Sequence, residues 1–192
     1  VTPRDGEDSG DPAVDEVLVE DAPPGEPAFA FASDRPTVTA PLKVLGKTPA
    51  KDPDGDAVRY EYRWLRDGEP VPLPDGTPAS TEAPFWTGAS EVPVSQLRKG
   101  QRWTVEVRAH DGEKAGPAVS ATVTVANSPP PAPRLVFSPE RPRRVDGIGV
   151  SIEQPPDPDG DVVTYRYAWT RDGERHPAPP EQSFLPRGVA KK

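Results

Sequence analysis

Three carboxylates fall within five residues at two places in the chain, Asp52-Pro53-Asp54-Gly55-Asp56 and Asp157-Pro158-Asp159-Gly160-Asp161. Asp side chains gathered around a Gly that permits a sharp turn concentrate hard oxygen donors, and calcium takes about six to eight such donors at roughly 2.3 to 2.6 Å. Asp52, Asp54, Asp56, Asp157, Asp159 and Asp161 are therefore candidate calcium ligands, and calcium is the one cofactor the sequence suggests. The competing reading is structural: Asp and Gly are common loop formers, and Asp carboxylates close Asx turns that pin a loop ahead of a strand. A second candidate is the aromatic pair Phe85-Trp86. It could stack on a glycan ring or anchor a protein partner; alternatively its rings fold back over the edge of the fold, as large aromatics generally bury. The two histidines, His110 and His176, stand apart in the sequence, and there is no cysteine. Neither histidine has a neighbour that would make a metal triad or a nucleophile–base pair, so both read as surface residues and the chain reads as non-catalytic.

The acidic loops open two copies of one pattern. Asp52 through Glu69 returns as Asp157 through Glu174, 105 residues on, including Tyr60-Glu61-Tyr62-Arg63-Trp64 against Tyr165-Arg166-Tyr167-Ala168-Trp169. A period near a hundred residues is the size of a whole β-sandwich and far longer than a helical solenoid repeat. Val58, Tyr60, Tyr62 and Trp64 alternate with Arg59, Glu61 and Arg63, the period-2 signature of a strand with a core face and a wet face. On the wet face, Arg59, Glu61 and Arg63 are expected to form cross-strand charge pairs with Glu106 and Arg108. Trp103, Val105, Val107 and Ala109 alternate in the same way, as do Val119, Ala121, Val123 and Val125. Less regular strands are expected over Ala28 to Ala32, with Phe29 and Phe31 inward, over Val38 to Val44, and over Val92 to Leu97. Asp67-Gly68 can supply the positive φ angles of a two-residue hairpin, and Asp111-Gly112 reads as a second turn. No helical periodicity is present. About seven antiparallel strands with a buried Trp on the third make an aligned two-sheet sandwich, with an up-and-down barrel as the weaker alternative.

Prolines punctuate these strands. Pro and Gly number 29 and 16 of 192 residues, yet the prolines concentrate between the alternating segments. Asn127-Ser128-Pro129-Pro130-Pro131 corresponds to Asp21-Ala22-Pro23-Pro24-Gly25, and runs of this kind make semi-rigid spacers. The register divides the chain into the C-terminal strands of a preceding repeat over 1–21, a complete sandwich over 22–127, and the N-terminal part of a following repeat over 128–192. With no Met and a start at Val1, the sequence reads as a processed chain or an excerpt. The net charge of −8 repels phosphate backbones and anionic lipid surfaces, which argues against nucleic acid as a partner. No run is long and apolar enough for a spanning helix, which argues against membrane insertion.

The order Asp-Pro-Asp-Gly-Asp, Tyr-x-Tyr-x-Trp, Trp103-Thr104-Val105-Glu106-Val107-Arg108-Ala109-His110-Asp111-Gly112 and Val123-Thr124-Val125-Ala126-Asn127-Ser128-Pro129-Pro130 resembles the Ig-like tandem repeats of bacterial surface and secreted proteins. PKD and fibronectin type III modules are the nearest named relatives. A PKD module commonly follows its Trp with a Phe-Gly-Asp-Gly type turn, where this chain has Leu65-Arg66-Asp67-Gly68, so the resemblance is to the superfamily. It implies a cell-surface or extracellular location, neighbouring repeats of the same protein as partners, and a structural or adhesive role as a semi-rigid rod or display module. Alternatives are an accessory module of a secreted enzyme that binds glycans or cell-surface proteins, and a subunit that assembles head to tail by strand complementation.

Overall fold

In a computed structural model, the described residues are 1–74, 86–143 and 145–189. Strands β1 (Ala28–Phe31), β2 (Leu42–Thr48), β3 (Arg59–Arg66), β4 (Glu69–Pro70), β5 (Glu91–Val92), β6 (Arg102–His110) and β7 (Val119–Thr124) build the first copy. They form two antiparallel sheets, ordered β1-β2-β5 and β4-β3-β6-β7. This is the Ig-like antiparallel β-sandwich expected from the sequence. The second copy contributes β8 (Arg134–Ser138), β9 (Ile148–Glu153), β10 (Thr170–Arg171), β11 (Glu174–Arg175) and β12 (Phe184–Leu185). These lie in a sheet ordered β12-β9-β8 and a β10-β11 hairpin.

The core follows from side-chain alternation. Every second residue of β6, Trp103 to Ala109, is buried, and Trp103, Val105 and Val107 meet Trp64, Leu42, Val92 and Leu97 between the sheets. Trp64 and Trp103 pack edge to face with ring centroids 6.3 Å apart, and Phe31 lies 6.2 Å from Trp64, within the range where aromatic quadrupoles attract. A buried indole N–H needs an acceptor; Trp64 Nε1 donates to the Ala89 carbonyl at 2.9 Å. The second copy repeats the device, with Phe137 and Trp169 at 6.4 Å and Trp169 Nε1 donating to the Gln182 carbonyl at 2.8 Å. Both hairpins after the Trp strands use the turn read from sequence: Asp67 and Gly68 have φ of 53° and 94°, Asp172 and Gly173 of 53° and 84°. Two successive positive φ angles match the right-handed twist of the flanking strands.

Four details differ from the sequence reading. β2 begins at Leu42 rather than Val38, directly after Pro41, which has no N–H to donate to a ladder. The segment expected as a strand over Val92 to Leu97 is a two-residue strand followed by a 3-10 turn, Val94–Gln96. Val1 to Glu20 carries a single bridge, Arg4 to Ser9, with Val14, Val17, Leu18 and Val19 exposed; the strands expected there have no described ladder partner, and an unpaired strand is not stable in water. Tyr165 to Trp169, the counterpart of β3, keeps alternating exposure but joins no ladder among the described residues. Its side chains line an open cavity of about 700 Å³ together with Leu135, Phe137 and Ile148.

Trp64→Ala should remove about 3 to 5 kcal/mol of stability, the cost of deleting a large buried aromatic. Urea unfolding followed by fluorescence would show it as a lowered midpoint; a midpoint unchanged from wild type would mean that the two-tryptophan contact is not the centre of the core.

Candidate functional site

The two acidic loops have the same internal structure. Asp52 Oδ1 accepts the backbone N–H groups of Asp54 at 2.9 Å and Asp56 at 3.1 Å. Asp157 Oδ1 accepts those of Asp159 at 2.9 Å and Asp161 at 3.2 Å. The Gly between them takes the left-handed conformation, φ 88° at Gly55 and 80° at Gly160. The first Asp of each loop is therefore the keystone of an Asx turn.

The second Asp reaches out of the loop to the linker. Asp54 Oδ2 accepts the Ala22 N–H at 2.7 Å, and Asp159 Oδ2 accepts the Ser128 N–H at 2.5 Å. Ala22 and Ser128 occupy the same place in the two proline-rich segments, so one charge-assisted bond pins the start of each linker. Around the first linker the contact is tightened from the β6–β7 turn: Lys114 Nζ donates to the Asp21 carbonyl. A Cβ on Gly116 would collide with the Pro24 carbonyl, so only glycine allows this close approach.

Carboxylates crowd this first pocket. Asp111, on the turn, accepts the N–H groups of Glu113 and Lys114 with Oδ1, and these bonds, that of Lys114 foremost, hold its carboxyl below the usual range. Its side chain is 2% exposed, and its Oδ2 has no hydrogen-bond partner among the described residues, like Oδ2 of Asp21 and Oδ2 of Asp52. Burial, and next the neighbouring Asp111 carboxylate, push Asp21 upward. Asp21 and Asp111 were not legible as site residues; only the folded linker and turn bring them to the Asp52 loop.

In the second pocket Asp157, Asp159 and Asp161 offer carboxylate oxygens that all lie within 4.8 Å of one another. Here a cation is already present. Lys99 Nζ, from the turn before β6, donates to Asp161 Oδ1 at 2.6 Å and to Asn127 Oδ1 at 3.2 Å. Its hydrogen bond to Asp161, with the field of Asp159 and Asp157 behind it, holds the ammonium above its ordinary range. Asp159 Oδ1 and the hydroxyl of fully buried Ser128 have no hydrogen-bond partner among the described residues. The donors fit a hard cation in type, since all are oxygens. Several lone pairs are already committed to N–H groups, so such an ion would use the remaining oxygens and water.

The aromatic candidate lies elsewhere. Phe85 falls outside the described residues. Trp86 is buried on the outer face of the β3–β6 pair, its ring 4.3 Å from the Arg108 guanidinium and 5.3 Å from that of Arg63. Thr87 beside it bridges Tyr62 through two backbone bonds of 2.7 and 2.9 Å. The face expected to be wet is thereby covered: Glu61 is 4% exposed and pairs with Arg108 directly opposite at 2.8 Å, while Arg63 pairs with Glu106. Covered ion pairs of this kind lose most when one partner is left alone. His110, its side chain 16% exposed, accepts the Gly112 N–H on Nδ1 at 2.9 Å and so caps the β6–β7 turn.

No family model and no curated protein matches the chain. Among solved structures, it is similar to the FN1–FN3 domains of chicken CNTN1, with 13% identity and a TM-score of 0.41, over 88% of this chain and 58% of that one. The chain thus spans less than two thirds of that structure's length.

Trp86→Ala should uncover the Glu61–Arg108 pair and cost about 3 kcal/mol, near the lower end for a buried Trp. Hydrogen exchange would report it as faster exchange of the Tyr62 and Thr87 amides. Exchange rates equal to wild type would show that the ring contributes nothing to holding that loop.

Proposed function

We propose that the chain is a non-catalytic structural segment of an extracellular Ig-like repeat protein, in which proline-rich linkers are fixed to the sandwiches by their acidic loops. The observation that carries this reading is the repeated clamp, Asp54 to Ala22 and Asp159 to Ser128. A carboxylate spent on a linker amide in both copies serves orientation of neighbouring repeats, and no constellation of nucleophile, base and oxyanion donors accompanies it among the described residues. The resemblance to surface and secreted repeats supports an extracellular setting, with neighbouring repeats as partners. Small-angle scattering tests the reading. Wild type should give one narrow distribution of distances across the linker at Asn127, and Asp159→Ala a broader one; equally broad distributions for both would overturn it.

A divalent cation, calcium by donor type, is the cofactor that the unpartnered oxygens of Asp21, Asp52, Asp111 and Asp159 favour. Asp52, Asp54 and Asp56 with Asp21 and Asp111 would hold it in the first pocket, and Asp157, Asp159 and Asp161 with Asn127 and Ser128 in the second. It would neutralise the crowded carboxylates and add its binding energy to the linker clamp. An ion at a hundred times its Kd stabilises by about 2.7 kcal/mol, so calcium should raise the melting temperature by several degrees and chelator should reverse the rise. Asp54→Asn should abolish most of the gain, and a melting curve indifferent to calcium would remove the cofactor from the proposal.

A further inference from the structure

The two pockets share a loop but not a charge balance. The first brings Asp21, Asp54 and Asp111 near one another and near Lys114, whose ammonium donates to the Asp21 backbone carbonyl, without the tight convergence of carboxylates found in the second. No Lys or Arg forms an ion pair with any of these carboxylates among the described residues. The second gathers Asp157, Asp159 and Asp161, has Asn127 where the first has Asp21, and receives Lys99 directly on Asp161.

From this difference we infer that Lys99 is a tethered cation that takes the place of the metal in the second pocket, so that the two copies of the acidic loop bind divalent cations unequally and the second does so only when Lys99 withdraws. The inference rests on the cation reading proposed above and specifies how it is regulated. The three Asp carboxylates of the second pocket lie within 4.8 Å of one another, so an ion among them would lie within a few ångströms of the Lys99 ammonium. Two positive charges at that separation repel each other. Lys99 has room to leave: its side chain is 39% exposed and its flexible stem carries a compact, well-hydrated charge. Among the described residues, no lysine sits on a carboxylate of the first pocket, and three of its buried oxygens lack partners. Occupancy of the second pocket is thereby a contest between two ways of fixing the same linker, an ion pair from the preceding sandwich or a shared metal ion.

Calorimetric titration of the full chain with calcium alone, with the Ala22 and Ser128 amide signals followed by NMR, separates the possibilities. Wild type should take up one equivalent and shift Ala22. Lys99→Gln should take up a second equivalent that shifts Ser128, with affinity at that pocket raised on the order of tenfold or more by loss of the repelling charge. Adding Asp159→Asn to that variant should remove the second equivalent and leave the first. If wild type fills both pockets with similar affinity, or if Lys99→Gln and Lys99→Ala gain no second equivalent while the first persists, the inference about Lys99 fails and the cation reading stands. Absence of calcium uptake by wild type and both variants defeats both.

Discussion

The pairing of β3 with β6 is the contact on which the rest of the sandwich depends. Its eight register pairs, from Arg59 with His110 to Arg66 with Trp103, set both faces at once. On the inner side they place Tyr60, Tyr62 and Trp64 beside Ala109, Val107 and Val105. On the outer side they place Glu61 opposite Arg108 and Arg63 opposite Glu106. A slip of one residue would exchange the two sets, sending charges into the core and tryptophan into water. The second copy shows the same dependence from the other direction. Val163, Tyr165, Tyr167 and Trp169 carry the same alternation as their counterparts, yet among the described residues they form no ladder. Strand propensity is realised only against a neighbour.

The two-sheet architecture was legible because alternation and turn chemistry are local. Asp67-Gly68 announces its positive φ angles, and the period-2 runs of β3, β6 and β7 announce their buried faces. Burial of Glu61 was not legible, since its own strand places it on the solvent side and only the return of Trp86 over that face covers it. The edges of β2 and β5 were misjudged for a similar reason: Pro41 and Pro93 interrupt backbone donation, and a run of apolar residues around them does not repair the ladder.

The acidic loops were legible as clusters but not as clamps. Each Asx turn can be read from Asp-x-Asp-Gly-Asp alone, whereas the bond to Ala22 or Ser128 joins residues about thirty positions apart and has no local signature. A faint signal did exist, in that the two linkers begin at nearly the same offset from their loops, 32 residues before Asp54 and 31 before Asp159. Lys99 had none. It is an ordinary turn lysine until the following linker brings Asp161 to it, and nothing in the repeat register marks it.

The long interval between the β3–β4 hairpin and β5 differs by twelve residues between the copies, yet its far end is tied to corresponding residues of the strand. The Tyr62 N–H donates to the Thr87 carbonyl as that of Tyr167 does to the Pro180 carbonyl, and Trp64 donates to Ala89 as Trp169 does to Gln182. Closing a longer loop between fixed anchors costs little, about 0.6 kcal/mol for each doubling of length. The indole-to-carbonyl bond thus makes this interval a point of evolutionary and engineering freedom, where sequence can be inserted, lost or grafted while the sandwich on either side keeps its register.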